Sequence, residues 1–194
     1  MLTDTNPEFL SKVFRSSLQN NLELPDARLN NRCIKILEVL KENPNLSFPQ
    51  AFTDKHQLKL LYRFLSNPKV SSQDILSATY ADTLLKLDVL DDELVLVAQD
   101  TSEFDFTTKP ETKLGYLHKL HHNGFLCHSG LAISPTGLPV GLLFQKNWTR
   151  DRNTFGKKKD RFKKPITEKE SYRWLECLEH LEKLNQDLTL FSCR

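Results

Sequence analysis

Leu94-Val95-Leu96-Val97-Ala98-Gln99-Asp100-Thr101-Ser102 is the stretch that determines the fold class of the second half of the chain. Its apolar, β-branched first part predicts a buried strand at 94–99 that places one carboxylate, Asp100, at its end. A carboxylate at the end of a buried central strand can hold a divalent cation over a rigid floor. An Asp before Thr and Ser is also ordinary turn chemistry, so Asp100 is equally compatible with a cap on the next turn.

Length and composition are those of a globular protein. The chain has 194 residues, of which 39% are hydrophobic and 27% charged, enough for one ordinary domain plus a small one, or for part of something larger. No apolar run approaches the ~20 residues of a membrane span and no signal peptide opens the chain, so we expect a cytoplasmic protein without a membrane partner. The four scattered cysteines contain no C-x-x-C pair and are expected to be reduced thiols.

Basic charge is concentrated in one segment. Residues 146–164 contain nine Lys or Arg and two Asp, a net charge of +7, although the whole chain has a formal net charge of +2. Such a concentration indicates contact with a polyanion, and a solvated loop is the alternative. The candidate phosphate contacts in this segment are Lys157, Lys158, Lys159, Arg161, Lys163 and Lys164, with Phe162 able to cover a base or sugar.

The first 90 residues predict an all-helical domain. Residues 9–14 have helical spacing, and a second helix is expected from about Asp26. Further helices are expected at about 56–65 and from about Ser71. The second helix carries a single apolar stripe made of Leu29, Cys33, Ile36, Leu37 and Leu40.

A row of cations lies beside that stripe. Arg28, Arg32 and Lys35 are spaced i, i+4 and i+7, which places all three along one edge of the second helix. Such a row can follow DNA phosphates. For three cations alone, a solvated surface face is the commoner explanation.

After residue 92 the pattern changes from helical to stranded. Besides 94–99, strands are predicted at about 125–133 and 140–148, joined as a hairpin by the turn Ser134-Pro135-Thr136-Gly137. A helix follows at about 167–184, and another strand begins at Thr189. The helix is predicted to start with the capping box Thr167-x-x-Glu170 and to bury Trp174, Leu175, Leu178 and Leu181.

A strand with an acidic residue, an antiparallel hairpin, a helix and a further strand is the order in which the ribonuclease-H-like fold begins. In detail the chain resembles the DDE transposases of the transposon Tn-five type, within the IS-four family. The matching segments are Pro25-Asp26-Ala27-Arg28-Leu29-Asn30-Asn31-Arg32, Leu61-Tyr62-Arg63-Phe64-Leu65-Ser66-Asn67-Pro68-Lys69-Val70-Ser71, Gln99-Asp100-Thr101-Ser102, His128-Ser129-Gly130-Leu131, Gly137-Leu138-Pro139-Val140-Gly141-Leu142-Leu143, Trp148 and Glu168-Lys169-Glu170-Ser171-Tyr172-Arg173-Trp174-Leu175.

The resemblance implies an α+β chain, with an all-helical DNA-binding domain at 1–90 and an incomplete ribonuclease-H-like α/β domain at 91–194. Members bind double-stranded transposon ends and use two divalent metal ions, Mg²⁺ or Mn²⁺, held by two Asp and one Glu, to cleave DNA and transfer strands. Asp100 matches the first Asp, so it is the expected catalytic residue and metal ligand. The expected contacts to end DNA in the helical domain are Arg28, Arg32, Lys35, Tyr62 and Arg63.

The chain departs from the family where the second Asp is expected, because Phe191-Ser192-Cys193-Arg194 stands there, and the third acidic residue is absent. One carboxylate does not make a two-metal site, so we expect this chain alone to bind the metal weakly and not to cut DNA. Three interpretations stay open. The first is that the chain is a truncated transposase. The second is that it is part of an active enzyme whose remainder comes from a programmed frameshift or lies outside this sequence. The third is a non-enzymatic inhibitor that binds transposon ends or pairs with itself or with full-length transposase.

A histidine-rich cluster follows the first predicted strand. Its members are His118, His121, His122, Cys127 and His128. Their spacing fits no standard zinc arrangement, so we expect a surface loop or a minor DNA contact in place of a metal site.

Overall fold

The computed structural model describes residues 21–90, 94–109, 114–157 and 163–188. The chain forms two compact units, Met1–Leu85 and Lys86–Arg194. The helix predicted at 9–14 and the strand predicted from Thr189 lie outside the described residues. No helix in the described ranges has both the length and the apolar character that crossing a membrane requires.

The described part of the N-terminal unit is helical, as predicted. Two of its helices begin at an Asp that accepts a hydrogen bond from a backbone N–H of the first turn, Asp26 from Arg28 and Asp54 from His56, each at 2.8 Å. The predictions of a helix from about Asp26 and of one at about 56–65 are therefore confirmed. The helices are α1 (Ala27–Glu42), α2 (Phe48–Ala51), α3 (Lys55–Leu65) and α4 (Ser72–Leu90), the last of which continues into the second unit.

The core of this unit forms where α1 and α3 meet. Cys33 and Ile36 of the predicted stripe are buried, and its three leucines pack partly buried around them. From α3 the core takes Leu61 and Phe64, both almost fully buried. Each such side chain contributes about 1.5–3 kcal/mol of transfer free energy, so the amphipathic pattern is sufficient to hold the helices together.

The C-terminal unit contains a four-stranded antiparallel sheet in which β3 pairs with the three other strands. The predicted hairpin is confirmed: β3 turns into β4 through a tight turn in which the N–H of Gly137 donates to the carbonyl of Ser134 at 2.9 Å. Gly137 has φ +87°, a value that favours glycine. The strands are β1 (Leu96–Asp105), β2 (Gly115–Tyr116), β3 (Asn123–Ile133) and β4 (Pro139–Trp148).

The first strand differs from its prediction in position and in burial. It runs from Leu96 to Asp105, so Asp100 lies in its middle, neither at its end nor in a turn. Its pairing with β3 continues past Asp100 to the pair Asp105–Gly124, which extends the strand. Leu94 and Leu96 are 59% and 49% exposed. Among the described strands β1 has a neighbour on one side only, which explains why it is not the buried central strand that the sequence predicted.

The last described helix, α5 (Tyr172–Leu188), packs on β3 and β4. Cys177 of this helix is fully buried above Gly130 of β3. The rings of Trp174 and His180 also contact the sheet, at 5.0 Å from His128 and 5.6 Å from Phe144. The predicted buried face is wrong for Trp174, Leu175 and Leu178, which are 43–48% exposed, whereas Leu181 is half-buried. Gly130 leaves room for the sulfur of Cys177, so the helix approaches the sheet closely at that position, while Leu175 and Leu178 stay largely exposed.

The start of α5 also differs from its prediction. Residues Ile166–Glu168 form a 3₁₀ turn, and the α-helix begins only at Tyr172. Glu170, which was expected to complete the capping box, instead accepts two hydrogen bonds from the Arg150 guanidinium at 2.6 and 2.8 Å. A bidentate charge-assisted pair is stronger than a capping contact, so the carboxylate turns to the arginine.

Candidate nucleic-acid interface

The predicted cation row lies on the outer surface of α1. Arg28 and Lys35 are exposed and Arg32 is half-buried. None of the three side chains makes an ion pair with a described residue, so their charges are available to an external anion. Arg32 and Lys35 also border a cavity of about 300 Å³ between α1 and α3, whose floor includes Phe52 and Leu61.

A second cation row lies on α3. Tyr62 and Arg63, both expected DNA contacts, are exposed near the end of this helix. Lys55 and Lys59 precede Arg63 at intervals of four residues, so the three cations lie along one exposed face. The sequence analysis missed both lysines. Counting back in steps of four from Arg63 would have found them, once the helix was known to begin at Lys55.

Asp100 is exposed, and its position is fixed by the backbone pairing of β1 and not by contacts of its own side chain. It pairs across the sheet with Ser129. Its neighbours Gln99 and Thr101 alternate to the other face, where both contact the fully buried His128. The Thr101 hydroxyl lies 2.7 Å from Nδ1 of His128, and Nε2 lies 3.1 Å from the side-chain oxygen of Gln99.

The protonation of His128 follows from its burial. Burial lowers the pKa of this imidazole below its ordinary value of 6.5, although the nearby charge of Asp100 acts in the opposite direction. A neutral ring has one donor and one acceptor nitrogen. Nδ1 therefore accepts from the Thr101 hydroxyl, and Nε2 donates to Gln99.

The described residues do not complete a metal site around Asp100. Among them, no group of three or more His, Cys, Asp or Glu side chains has an arrangement that could hold a metal ion. In the histidine cluster, Nδ1 of His118 lies 3.5 Å from Glu103, and Nδ1 of His122 lies 3.2 Å from Asp105. Asp100 thus supplies one carboxylate, and further ligands of a two-metal centre would have to lie outside the described residues.

Much of the charge in the basic segment is used within the fold. Lys146 pairs with Glu176 at 2.9 Å, and Arg150 pairs with Glu170. Arg152 donates to two backbone carbonyls and to a side-chain oxygen. Of the six predicted phosphate contacts, Lys164 lies 3.8 Å from Glu168. The other two described ones, Lys157 and Lys163, are exposed and make no ion pair with a described residue, and Lys158, Lys159 and Arg161 lie outside the described residues.

Comparison with known protein families matches residues 12–70 to the family described as transposase DNA-binding. This range contains α1, α2 and α3 with both cation rows. No curated protein matches the chain at a significant level. The family match supports a transposase-like protein that binds DNA.

Proposed function

We propose that the N-terminal unit binds the double-stranded DNA at transposon ends through the two cation rows of α1 and α3. The observation that carries this proposal is that the transposase DNA-binding match at 12–70 covers both rows. The cations are Arg28, Arg32, Lys35, Lys55, Lys59 and Arg63.

The number of cations sets the expected salt dependence. Each phosphate that a cation neutralises adds about −0.9 to the slope of log K against log salt. Six contacts give a slope of about −5, and an affinity loss of about a thousandfold between 50 and 200 mM salt. Phosphate contacts fix position and orientation, and base contacts give specificity. Tyr62, an exposed aromatic side chain within the α3 row, is our candidate for a contact to a base.

The test is fluorescence anisotropy of the whole chain with a short labelled duplex at several salt concentrations. We expect Arg28→Ala and Arg32→Ala each to weaken binding and to make the slope about 0.9 less negative. Lys41→Ala is the matched control, because Lys41 lies on the same helix but, at 3.6 residues per turn, on its opposite side. Equal effects of all three variants, or none, would remove the α1 row from the interface.

We also propose that the chain is of the DDE transposase type, similar to the Tn-five and IS-four proteins, and that residues 91–194 begin a ribonuclease-H-like domain. The order of β1, the β3–β4 hairpin and α5 supports this assignment. In this proposal Asp100 is the first ligand of a Mg²⁺ or Mn²⁺ ion. Asp100 is one of the three acidic ligands that the resemblance implies for the two-metal site. A DNA partner implies a cytoplasmic location at the nucleoid.

The metal assignment can be tested by titrating Mn²⁺ into the whole chain and recording water-proton relaxation. If Asp100 takes part in a metal site of this chain, Asp100→Asn reduces the binding. Asp105→Asn is the matched control, since Asp105 lies on the same strand and its carboxylate is bonded to Thr107 and His122. Equal binding by both variants and the parent would assign the bound Mn²⁺ to other residues.

A further inference from the structure

A cavity of about 770 Å³ lies in the C-terminal unit, beyond the end of β4 and beside the segment that leads into α5. Its volume is in the range of pockets that hold small organic ligands. Asp100 does not line it. Neither the sequence resemblance nor the family match assigns it a ligand.

The side chain of Arg150 joins the segments that form the walls of this cavity. The guanidinium donates two hydrogen bonds to Glu170 and one, at 3.0 Å, to the carbonyl of Leu117. Gly115 packs so closely against the backbone of Arg150 that a Cβ there would clash with the Arg150 carbonyl oxygen. The hydrogen bonds to Glu170 raise the pKa of Arg150 above its usual value, so the charged pair persists. The charge of Arg150 is thus satisfied within the wall.

Two further lysines give the cavity an unmatched positive charge. Lys157 and Lys169 line it, and neither side chain makes an ion pair or hydrogen bond with a described residue. Three acids line the cavity. Glu168 and Glu170 are already paired with Lys164 and Arg150, and the carboxylate of Asp151 accepts a hydrogen bond from the N–H of Asn153. An anion that enters the cavity therefore meets two ammonium groups that are opposed by one carboxylate, which leaves an excess of positive charge.

The inner wall is aromatic and contains unused hydrogen-bond donors. The guanidinium of Arg173 lies over the ring of Trp148, 5.5 Å from its centroid. Nε1 of Trp148 and Nε of Arg173 are buried and have no acceptor. Both nitrogens are shielded by the surrounding side chains, so these two residues form the unsatisfied inner wall of the cavity, and an acceptor reaches the donors only if a side chain of that wall moves.

We propose that this cavity binds one phosphorylated nucleotide of an unpaired DNA strand, with the phosphate between Lys157 and Lys169 and the base against Trp148. The proposal rests on the proposed function, because that function makes DNA the partner. Cations that follow the backbone, combined with aromatic side chains that contact bases, are the usual means of binding single strands. A concave site of this size admits a nucleotide but not a duplex.

The test uses the whole chain carrying Trp174→Phe, so that Trp148 is its one tryptophan, and a 5′-phosphorylated hexathymidylate as the probe. We expect the oligonucleotide to quench the fluorescence of Trp148. The double variant Lys157→Gln/Lys169→Gln is expected to weaken binding about tenfold and to make the salt slope less negative by about 0.7 per lysine. The matched control is Lys119→Gln/Lys183→Gln, two exposed lysines of the same unit outside the cavity.

Several outcomes would overturn the proposal. These are the absence of quenching, equal weakening by the control pair, and displacement of the oligonucleotide by inorganic phosphate at equal concentration, which would indicate an anion site only. The duplex is assayed in parallel with Arg28→Ala/Arg32→Ala. If that variant loses the duplex and keeps the hexathymidylate, both proposals stand. If the parent chain binds the duplex but not the hexathymidylate, the cavity proposal is refuted. If the parent chain does not bind the duplex, the proposed function is refuted.

Discussion

Gly130 provides the sharpest test of how α5 rests on the sheet. A Cβ at this position would lie 2.9 Å from Sγ of Cys177, 3.3 Å from Cβ of Phe144 and 3.4 Å from Cγ1 of Val97. The first contact is too short for carbon and sulfur, and the sulfur belongs to a fully buried side chain with little freedom to move. Overpacking of this kind costs about 1–3 kcal/mol. We therefore expect Gly130→Ala to destabilise the C-terminal unit by that amount.

Removing the sulfur relieves the clash. Cys177→Ala alone leaves a small void and costs about 1 kcal/mol. In the double variant the new methyl group of residue 130 occupies part of the space that the sulfur leaves. The two changes are then non-additive, with a favourable coupling free energy of about 1–2 kcal/mol. A coupling of this sign requires that the two residues touch, which makes it a test of the packing itself.

The assay is urea unfolding followed by tryptophan fluorescence. The chain has two tryptophans, Trp148 and Trp174, and both belong to the C-terminal unit, so the signal reports on that unit alone. The control is Gly137→Ala, which meets no atom within 4 Å but has φ +87°; it is expected to cost about 1 kcal/mol of backbone strain with no coupling to Cys177. An unchanged midpoint for Gly130→Ala, or additive effects of the pair, would refute the packing described for α5.

Three further predictions concern titration and DNA contacts. The pKa of His128, measured by NMR of its ring protons, should lie below 6.5, because burial disfavours the charged form. The stability that the neutral ring contributes is complete above pH 6.5 and falls as the pH drops toward the folded-state pKa. A measured pKa of 6.5 or more would contradict this. Burial raises the pKa of Glu176, but hydrogen bonds from its two cationic partners outweigh burial and hold the pKa below 4.5. Its stabilisation is therefore present above pH 4.5 and lost as pH falls through the folded value, so Glu176→Gln should flatten the loss of stability in acid, and an identical acid profile would count against the pairing. Lys55→Ala and Lys59→Ala should each make the slope for duplex binding about 0.9 less negative, and unchanged slopes would exclude α3 from the interface.

The parts of the fold that the sequence predicted correctly depend on local signals. The apolar stripe that contains Cys33 and Ile36 has a helical period, and an Asp cap precedes it within a few residues. A turn sequence that contains Gly137 predicts the hairpin of β3 and β4. In each case the residues that decide the element lie within one or two turns of it, so no knowledge of the tertiary structure is needed.

The errors come from contacts between residues that are distant in the chain. Amphipathic spacing in α5 predicts a buried apolar face, but the fully buried position of the helix is Cys177, which lies against Gly130 of another element. Glu170 was expected to cap α5 and is instead held by Arg150, on the far side of the basic loop. Because Glu170 neutralises Arg150, this arginine adds no net charge to residues 146–164, the segment whose composition indicated a polyanion contact. Composition counts charges and does not show which of them an acidic partner neutralises.

The alternation of side chains at residues 99–101 connects the fold to the proposed role of Asp100. Gln99 and Thr101 are both bonded to the buried ring of His128, so the strand cannot rotate about its axis at this point without breaking two hydrogen bonds. Because neighbours in a strand point to opposite faces, this anchoring directs Asp100 away from α5, where its carboxylate is exposed. A rigidly placed and accessible carboxylate is what a metal ligand requires, and a turn cap requires neither property. The position of Asp100 in the middle of β1 excludes the turn cap. In the proposed metal role, the other ligands would approach from the face of the sheet opposite α5.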